Sequence, residues 1–301
     1  MKKILIIFGV IILIIGLLIA YFFYLINHKG SGSEKEFIVK SGQSTKTIAQ
    51  NLQQEGIISS STAFVMYVRF KNDLIQVGVY KLSSSQNIKE ILAILASGKA
   101  SEYLVTIPEG WRVTQIDEYL AEKKVIQAGE LLKIASSFEG YLFPDTYRFL
   151  PNSKPEDIKK EMMDNFVTKT AGLNPTRDNI ILASIVEREA KFDDDRAKIA
   201  GVYLNRLDRG MKLEADPTIQ YAKGSWNPIK VSDYRNTNSL YNTYQYLGLP
   251  PGPICNPGLK SIEAVMYPQK GDWLYFFNKE DGHAVFSATL QEHEDNLKKY
   301  R

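Results

Sequence analysis

The strongest candidate for chemistry in this sequence is Glu187. It follows Ile180-Ile-Leu-Ala-Ser-Ile-Val186, a run with a single polar member that covers every face of a helix and therefore predicts burial all round. A carboxyl group at the end of such a helix is costly unless it is paired or functional. Desolvation there would favour the protonated form that a general acid needs. The competing reading is a salt bridge to Arg188 or Lys191, or a frayed, solvated helix end. Glu189 lies two residues on, about 200° round a helix of 3.6 residues per turn, so the two carboxyls cannot share one site by helical geometry. Glu189 is expected to support the fold through nearby backbone or Arg206.

Further polar groups follow. Asn205 and Arg206 sit in Val202-Tyr-Leu-Asn-Arg-Leu207, an otherwise apolar helical stretch, and are expected to line or brace a cleft. Asp216 precedes Pro217 and Thr218, which predicts a helix start with Asp216 as N-cap and Pro217 at the first helical position. Gln220 and Tyr221 fall in the first turns of that helix. Asn242 and Tyr244 belong to Tyr241-Asn-Thr-Tyr244, and a proline-rich loop runs from Gly248 through Asn256-Pro257. Aromatic rings stack on pyranose faces and amides read hydroxyls, so this set suits a sugar, although Tyr and Asn are also ordinary loop residues.

Other chemistries are poorly supported. The three histidines, His28, His283 and His293, form no HExxH, so neither a zinc site nor any other metal or cofactor is expected. No G-x-S-x-G or P-loop pattern occurs. The single cysteine, Cys255, lies near prolines and reads as a core or loop residue. A net charge of +3, without a basic tract interleaved with aromatics, argues against nucleic acid as a partner.

The elements that must position these residues begin at the N-terminus. Lys2 and Lys3 precede an apolar run from Ile4 to Ile26, which at 1.5 Å per residue spans roughly 35 Å, enough to cross a bilayer core. The run ends in Tyr21, Phe22, Phe23 and Tyr24 and has no small-x-small cleavage site, which favours an uncleaved anchor over a signal peptide. Residues 1–3 are then cytoplasmic, 4–26 cross the membrane, and 27–35 form a linker around Gly30-Ser-Gly-Ser33. Phe37–Val39 reads as a strand, Ser41-Gly42 as a turn, and Thr47–Leu52 as a helix start. The same grammar returns 68 residues later in Val105–Ile107, Glu109-Gly110, Ile116 and Leu120, which suggests a duplicated βα unit. Helices are expected over 63–70, 88–95, 155–168, 178–190 and 291–300, and a buried strand over 272–278. The fold class is α+β: an N-terminal transmembrane helix, a small module over 36–103, and a larger mixed α+β domain over 104–301 that opens with the second repeat at 104–126.

Leu182-Ala-Ser-Ile-Val-Glu-Arg-Glu189, Asn205-Arg206, Asp216-Pro-Thr218, Tyr241-Asn-Thr-Tyr244 and Gly248-Leu-Pro-Pro-Gly252 together resemble the YceG-like family of endolytic murein transglycosylases. Thr106-Ile-Pro-Glu-Gly110 and Glu139-Gly-Tyr-Leu-Phe-Pro-Asp-Thr-Tyr147 add to the likeness, as does the order of anchor, LysM-like module and catalytic domain. The first LysM-like copy, Phe37 to Ala49, departs from the usual pattern at Gln43. The resemblance implies cleavage between N-acetylmuramic acid and N-acetylglucosamine in nascent strands, limiting strand length, with 1,6-anhydro ends as products. It implies one catalytic Glu, matched by Glu187, with Glu189, Asn205, Arg206, Asp216, Thr218, Gln220, Tyr221, Asn242 and Tyr244 supporting it or binding substrate. The implied partners are peptidoglycan strands, the bacterial cytoplasmic membrane and cell-wall synthases such as penicillin-binding proteins. Two alternatives stay open: a non-catalytic peptidoglycan-binding scaffold, and a hydrolytic muramidase using Asp145 or Asp216 to activate water.

Overall fold

A computed structural model describes residues 2–40, 42–98 and 103–300. Met1 of the expected cytoplasmic terminus and Ser41 of the expected turn lie outside the described residues. The chain divides into two compact units, one reaching Leu104 and including Arg148–Ser153, the other made of Val105–Tyr147 and the chain from Lys154 onward. No local signal in the sequence marks Arg148–Ser153 for the first unit.

In the first unit, helix α1 (Lys2–Asn27) contains a stretch, Ile6–Asn27, with mean hydropathy 3.1, long and apolar enough to cross a membrane. Strand β1 (Lys35–Val39) follows, then α2 (Thr45–Gln54), α3 (Ser61–Lys71), β2 (Gly78–Leu82) and α4 (Ile88–Ala96). β1 and β2 pair antiparallel, with Phe37 opposite Tyr80. Side-chain caps set the helix starts: the Ser44 hydroxyl accepts from Thr47 N–H, and Asn87 and Glu90 cap each other reciprocally. Ile48 and Leu52 of α2, Phe64 of α3, and Ile91 and Leu95 of α4 bury their side chains beneath the sheet residues Phe37, Val39 and Leu82. Ile26 of α1, 2% exposed, joins this core, with Phe22 and Leu25 packed beside it.

The later elements are β3 (Tyr103–Thr106), α5 (Val113–Glu122), α6 (Glu130–Ala135) continued by a 3-10 turn over Ser136–Phe138, β4 (Thr146–Phe149) and α7 (Pro155–Thr170). Then come α8 (Arg177–Glu189), α9 (Asp193–Asp208), α10 (Asp216–Ala222), α11 (Asp233–Asn236) and α12 (Leu259–Met266). The chain closes with β5 (Tyr275–Asn278), β6 (Ala284–Ser287) and α13 (Leu290–Tyr300). The architecture is mixed α+β, with three two-stranded sheets among the described residues.

The repeat is longer than the βα unit expected. Moving forward 68 residues carries β1 onto β3, α2 onto α5, α3 onto α6 and its 3-10 turn, β2 onto β4, and α4 into α7. The β2 member escaped the sequence reading because Gly-Val-Tyr-Lys-Leu is buried at four of its five positions and does not alternate, and the β4 member because its four alternating residues close a segment read as aromatic and turn-rich.

α8 is the centre of the second unit. All of Ile180–Val186 is buried, as the unbroken apolar run requires, and α9 and α12 pack against it. Its one polar member is satisfied locally: the Ser184 hydroxyl donates to Ile181 O (2.7 Å) and accepts from Ile254 N–H (3.0 Å). Cys255 is buried against the same residue, its thiol donating to Ser184 O at 3.3 Å. Ile185→Ala should destabilise the protein by ~2–5 kcal/mol, read as a lower urea midpoint, because the side chain is fully enclosed. The strand expected over 272–278 starts only at Tyr275, and only Phe277 in it is buried. β5 has β6 as its single partner, and α9 and α13 pack against it, so most of its side chains are half-buried.

Candidate active site

The last turn of α8 carries both glutamates, and they diverge as the helical angle requires. Glu187 Oε1 accepts from Arg196 Nη1 at 3.2 Å and Oε2 accepts from Gly258 N–H at 2.9 Å. Gly258 is the N-cap of α12, so a carboxylate there also meets the positive end of that helix. The ion pair is nearly closed, with side chains 7% and 10% exposed. Arg196 is held in turn by Ser261 Oγ (2.8 Å) and Asp193 (3.1 Å). The sequence reading paired Glu187 with Arg188 or Lys191 if it was structural. The partner is instead Arg196, one turn into the next helix. Burial and the nearby Glu187 push the Glu109 carboxyl upward.

Glu189 faces a different space. It lines a cavity of about 260 Å³ together with Tyr203 and Arg206 of α9, Glu214, Asp216, Tyr244 and Asn278. Tyr203 Oη donates to Glu189 Oε1 at 2.9 Å. Desolvation pushes the Glu189 carboxyl up to about 7, and Asp216 adds to the rise, against the opposing effects of Tyr203 and Arg206. Its place at the C-terminal end of α8, where the helix dipole is negative, works in the same direction. A carboxyl group that holds its proton near neutrality beside an open cavity can act as an acid and, once ionised, as a base.

The other expected residues separate into those that line the cavity and those that hold its walls. Arg206, 8% exposed, donates through Nε to Leu274 O (2.7 Å) and through Nη1 to Leu213 O (2.8 Å) and Glu214 Oε2 (3.1 Å), and it reaches the cavity. Asp216 is not the N-cap expected for it. Ala215 holds that position, and Asp216 is the first helical residue with Pro217 second. Its carboxylate turns to the cavity, where Tyr244 Oη donates to Oδ1 at 2.5 Å. Tyr244 stacks on Tyr234 with ring centroids 4.2 Å apart.

Asn205 braces the outside, its Nδ2 donating to Gly271 O (2.8 Å) and Trp273 O (2.9 Å). Thr218, fully buried, bonds Ala215 O and the Thr243 hydroxyl. Asn242 pins its loop by donating to Tyr234 O and Thr237 O and accepting from Tyr244 N–H. Gln220 donates to Trp226 O and Asn227 O, and Tyr221 packs on Tyr241 and under Arg112, so neither lines the cavity. Asn256 ties the proline-rich loop to the motif around Glu139: its Oδ1 accepts from Gly140 and Leu142 N–H and its Nδ2 donates to Glu139. Burial pushes Glu139 up to about 7, and its oxygens are taken by Val113 N–H and Asn256.

Six residues that line the cavity were missed: Tyr203, Leu213, Glu214, Phe276, Phe277 and Asn278. Tyr203 was legible, since it lies one helical turn before Arg206 on the same face of α9. Asn278 ends a short strand and carries no local signal.

Residues 37–299 match the YceG-like family. The chain is 35% identical over 310 residues to a protein of Bacillus subtilis (strain 168) named endolytic murein transglycosylase, covering 90% of this chain and 86% of that one. A protein of the same name from Streptococcus pneumoniae serotype 2 is 29% identical over 314 residues, covering 86% of this chain and 57% of the longer relative. A crystal structure of a yceG-like protein from Listeria monocytogenes superposes with a TM-score of 0.57 at 30% identity, covering 88% of this chain and all of that one.

Proposed function

The chain belongs to the YceG-like family, and on that premise we propose that it is an endolytic lytic transglycosylase of peptidoglycan with Glu189 as its acid/base. The observation that carries the residue assignment is the position of the Glu189 carboxyl, which burial pushes up to about 7, at the wall of a cavity shared with Arg206, Asp216 and Tyr244. Glu189 gives its proton to the oxygen between N-acetylmuramic acid and N-acetylglucosamine as the C1–O bond breaks. As carboxylate it then takes the proton of the muramyl C6 hydroxyl, whose oxygen closes on C1. The product is a 1,6-anhydro end, no water is consumed, and Glu189 is returned protonated. One carboxyl therefore suffices where most glycosidases use two.

Glu187, the acid/base expected from the sequence, takes a different part in this reading. Both of its oxygens accept from protein donors, so it clamps α8 to the start of α12. Asp216 keeps a hydrolytic reading in play, because it lies in the same cavity and could orient water. Asp145 does not share that space: Lys169, Asn165 and Thr146 N–H occupy its carboxylate.

The rest follows the family's organisation. α1 anchors the protein in the bacterial cytoplasmic membrane with Lys2 and Lys3 inside, the remainder works outside, and cell-wall synthases supply its strands. The unit around β1 and β2 is a LysM-like arm.

Product mass tests the reaction. Purified glycan strands should yield anhydro-ended fragments, lighter by one water than hydrolytic products. Reducing ends would establish a muramidase, and intact strands a scaffold. A second expectation concerns Tyr203→Phe. The lost hydroxyl stabilises the Glu189 carboxylate, so the alkaline limb of the pH–activity profile should move upward while the protein stays folded. An unmoved limb would separate Glu189 from that limb.

A further inference from the structure

Helix α3 is amphipathic in an unusual direction. Its buried face, Ala63, Phe64, Tyr67 and Val68, enters the core, while Met66 and Phe70, one turn apart on the opposite side, are 54% and 82% exposed. Leu74, just beyond, is 79% exposed. This apolar surface adjoins α1. Leu18, Tyr21, Phe22 and Leu25 of α1 and Ala63 and Met66 of α3 line one groove of about 420 Å³. The four residues of α1 lie within the stretch that is long and apolar enough to cross a membrane. One wall of the groove is thus the outer part of the span itself.

A second hollow, of about 330 Å³, shares Thr62 and Met66 with the groove and continues it along α3. Its character is different. Lys46 of α2 and Arg69 of α3 line it, with Gln50, Ser61 and Thr62, and no acidic side chain borders either hollow. Lys46 and Arg69 are exposed and form no hydrogen bond or ion pair with any described residue. An apolar slot along the candidate span therefore opens onto two uncommitted cations and three neutral polar side chains.

We propose that these paired hollows bind one anionic phospholipid of the outer leaflet, its acyl chain between α1 and α3 and its phosphate between Lys46 and Arg69. The inference rests on α1 crossing the membrane. The occupant follows from continuity and charge. A groove walled by a membrane span is filled by the solvent of that layer, which is hydrocarbon. A phosphate diester at the rim supplies the acceptors that ammonium and guanidinium groups seek. Phe70 and Leu74 then lie in the interfacial region, where exposed apolar side chains are favourable. The first unit would rest on the bilayer surface rather than swing on its anchor.

The test uses the full chain in nanodiscs of phosphatidylcholine with part of it replaced by phosphatidylglycerol. One or other lipid carries a photoactivatable group in its acyl chain, and labelled peptides are mapped by mass spectrometry. Segment 61–71 should be labelled more by phosphatidylglycerol than by phosphatidylcholine, by about fivefold or more, since each basic group near an anionic surface contributes about that factor. Combining Lys46→Glu with Arg69→Glu, both at exposed positions, should abolish the preference and leave α1 labelling unchanged. Equal labelling by the two lipids in the wild type overturns the proposal, as does a preference that survives the double reversal. Labelling of α1 without segment 61–71 overturns the groove alone. Absence of label from α1 overturns the membrane-crossing reading as well.

Discussion

Glu189→Gln should leave the protein folded and able to bind glycan while strand cleavage falls by at least ~10²–10⁴-fold, the usual worth of a positioned proton donor. The loss should lie at or beyond the upper end, because the same group must both give and take the proton. Glu187→Gln should do something different. It removes the charge facing Arg196 in a nearly closed pair, so it should lower stability while turnover per folded molecule stays near normal. Anhydro-ended fragments measured beside the folded fraction separate the two variants. An inactive, folded Glu187→Gln with an active Glu189→Gln would return the acid/base role to Glu187. The pH dependence has a defined sign. With Glu189 raised from 4.5 to about 7, its protonated form serves as the acid, and activity should fall as pH rises through about 7. Its contribution to stability runs the same way: it is fully present below 4.5, where both folded and unfolded chains are protonated, and is lost as pH rises through about 7.

Arg206→Ala should cost about 3–5 kcal/mol of stability, in addition to any loss of activity. Arg206 is buried and satisfies the carbonyls of Leu213 and Leu274, which belong to segments far apart in sequence, and it pairs with Glu214. Truncation leaves those acceptors without their donor and opens a void under Tyr275. The urea midpoint measures it. A variant as stable as wild type would show that the guanidinium does not hold the cavity wall.

Much of this was readable from residue order. The apolar run of α8 announced a helix buried on every side, and the 200° angle between Glu187 and Glu189 announced that they would face different spaces. What order alone could not supply was which face opens onto a cavity. That depends on α9, β5 and the loop around Asn242, which arrive from 14 to 89 residues away: Tyr203 Oη reaches Glu189 and Asn278 approaches its carbonyl. The local pattern made Glu187 prominent because it ends the apolar run first, and Arg196 then neutralises it. Asp216 was misread for a related reason. Asp before Pro is a common cap, but the helix starts one residue earlier, with Ala215 at the cap, and the Asp216 carboxylate accepts from Tyr244 instead. The strands β2 and β4 were passed over because both are short: β2 is buried at four of its five positions and so lacks alternation, and β4 is four residues at the end of a turn-rich stretch.

The 68-residue duplication has a consequence for how the chain sorts its own segments. β1 and β3 want equivalent partners, and β2 and β4 are both on offer, so a newly made chain could exchange strands between its two copies. Phe37 lies opposite Tyr80, whose ring is buried and whose hydroxyl donates to Gln76 O and Leu95 O. β4 carries its counterpart in Tyr147, which is also buried and also donates to the carbonyl four residues back, Phe143 O. The two strands therefore offer a partner the same side chain in the same bond, and polarity does not tell them apart. Order of synthesis does: β1 and β2 both precede β3 in the chain, so the first pair can close before the second exists.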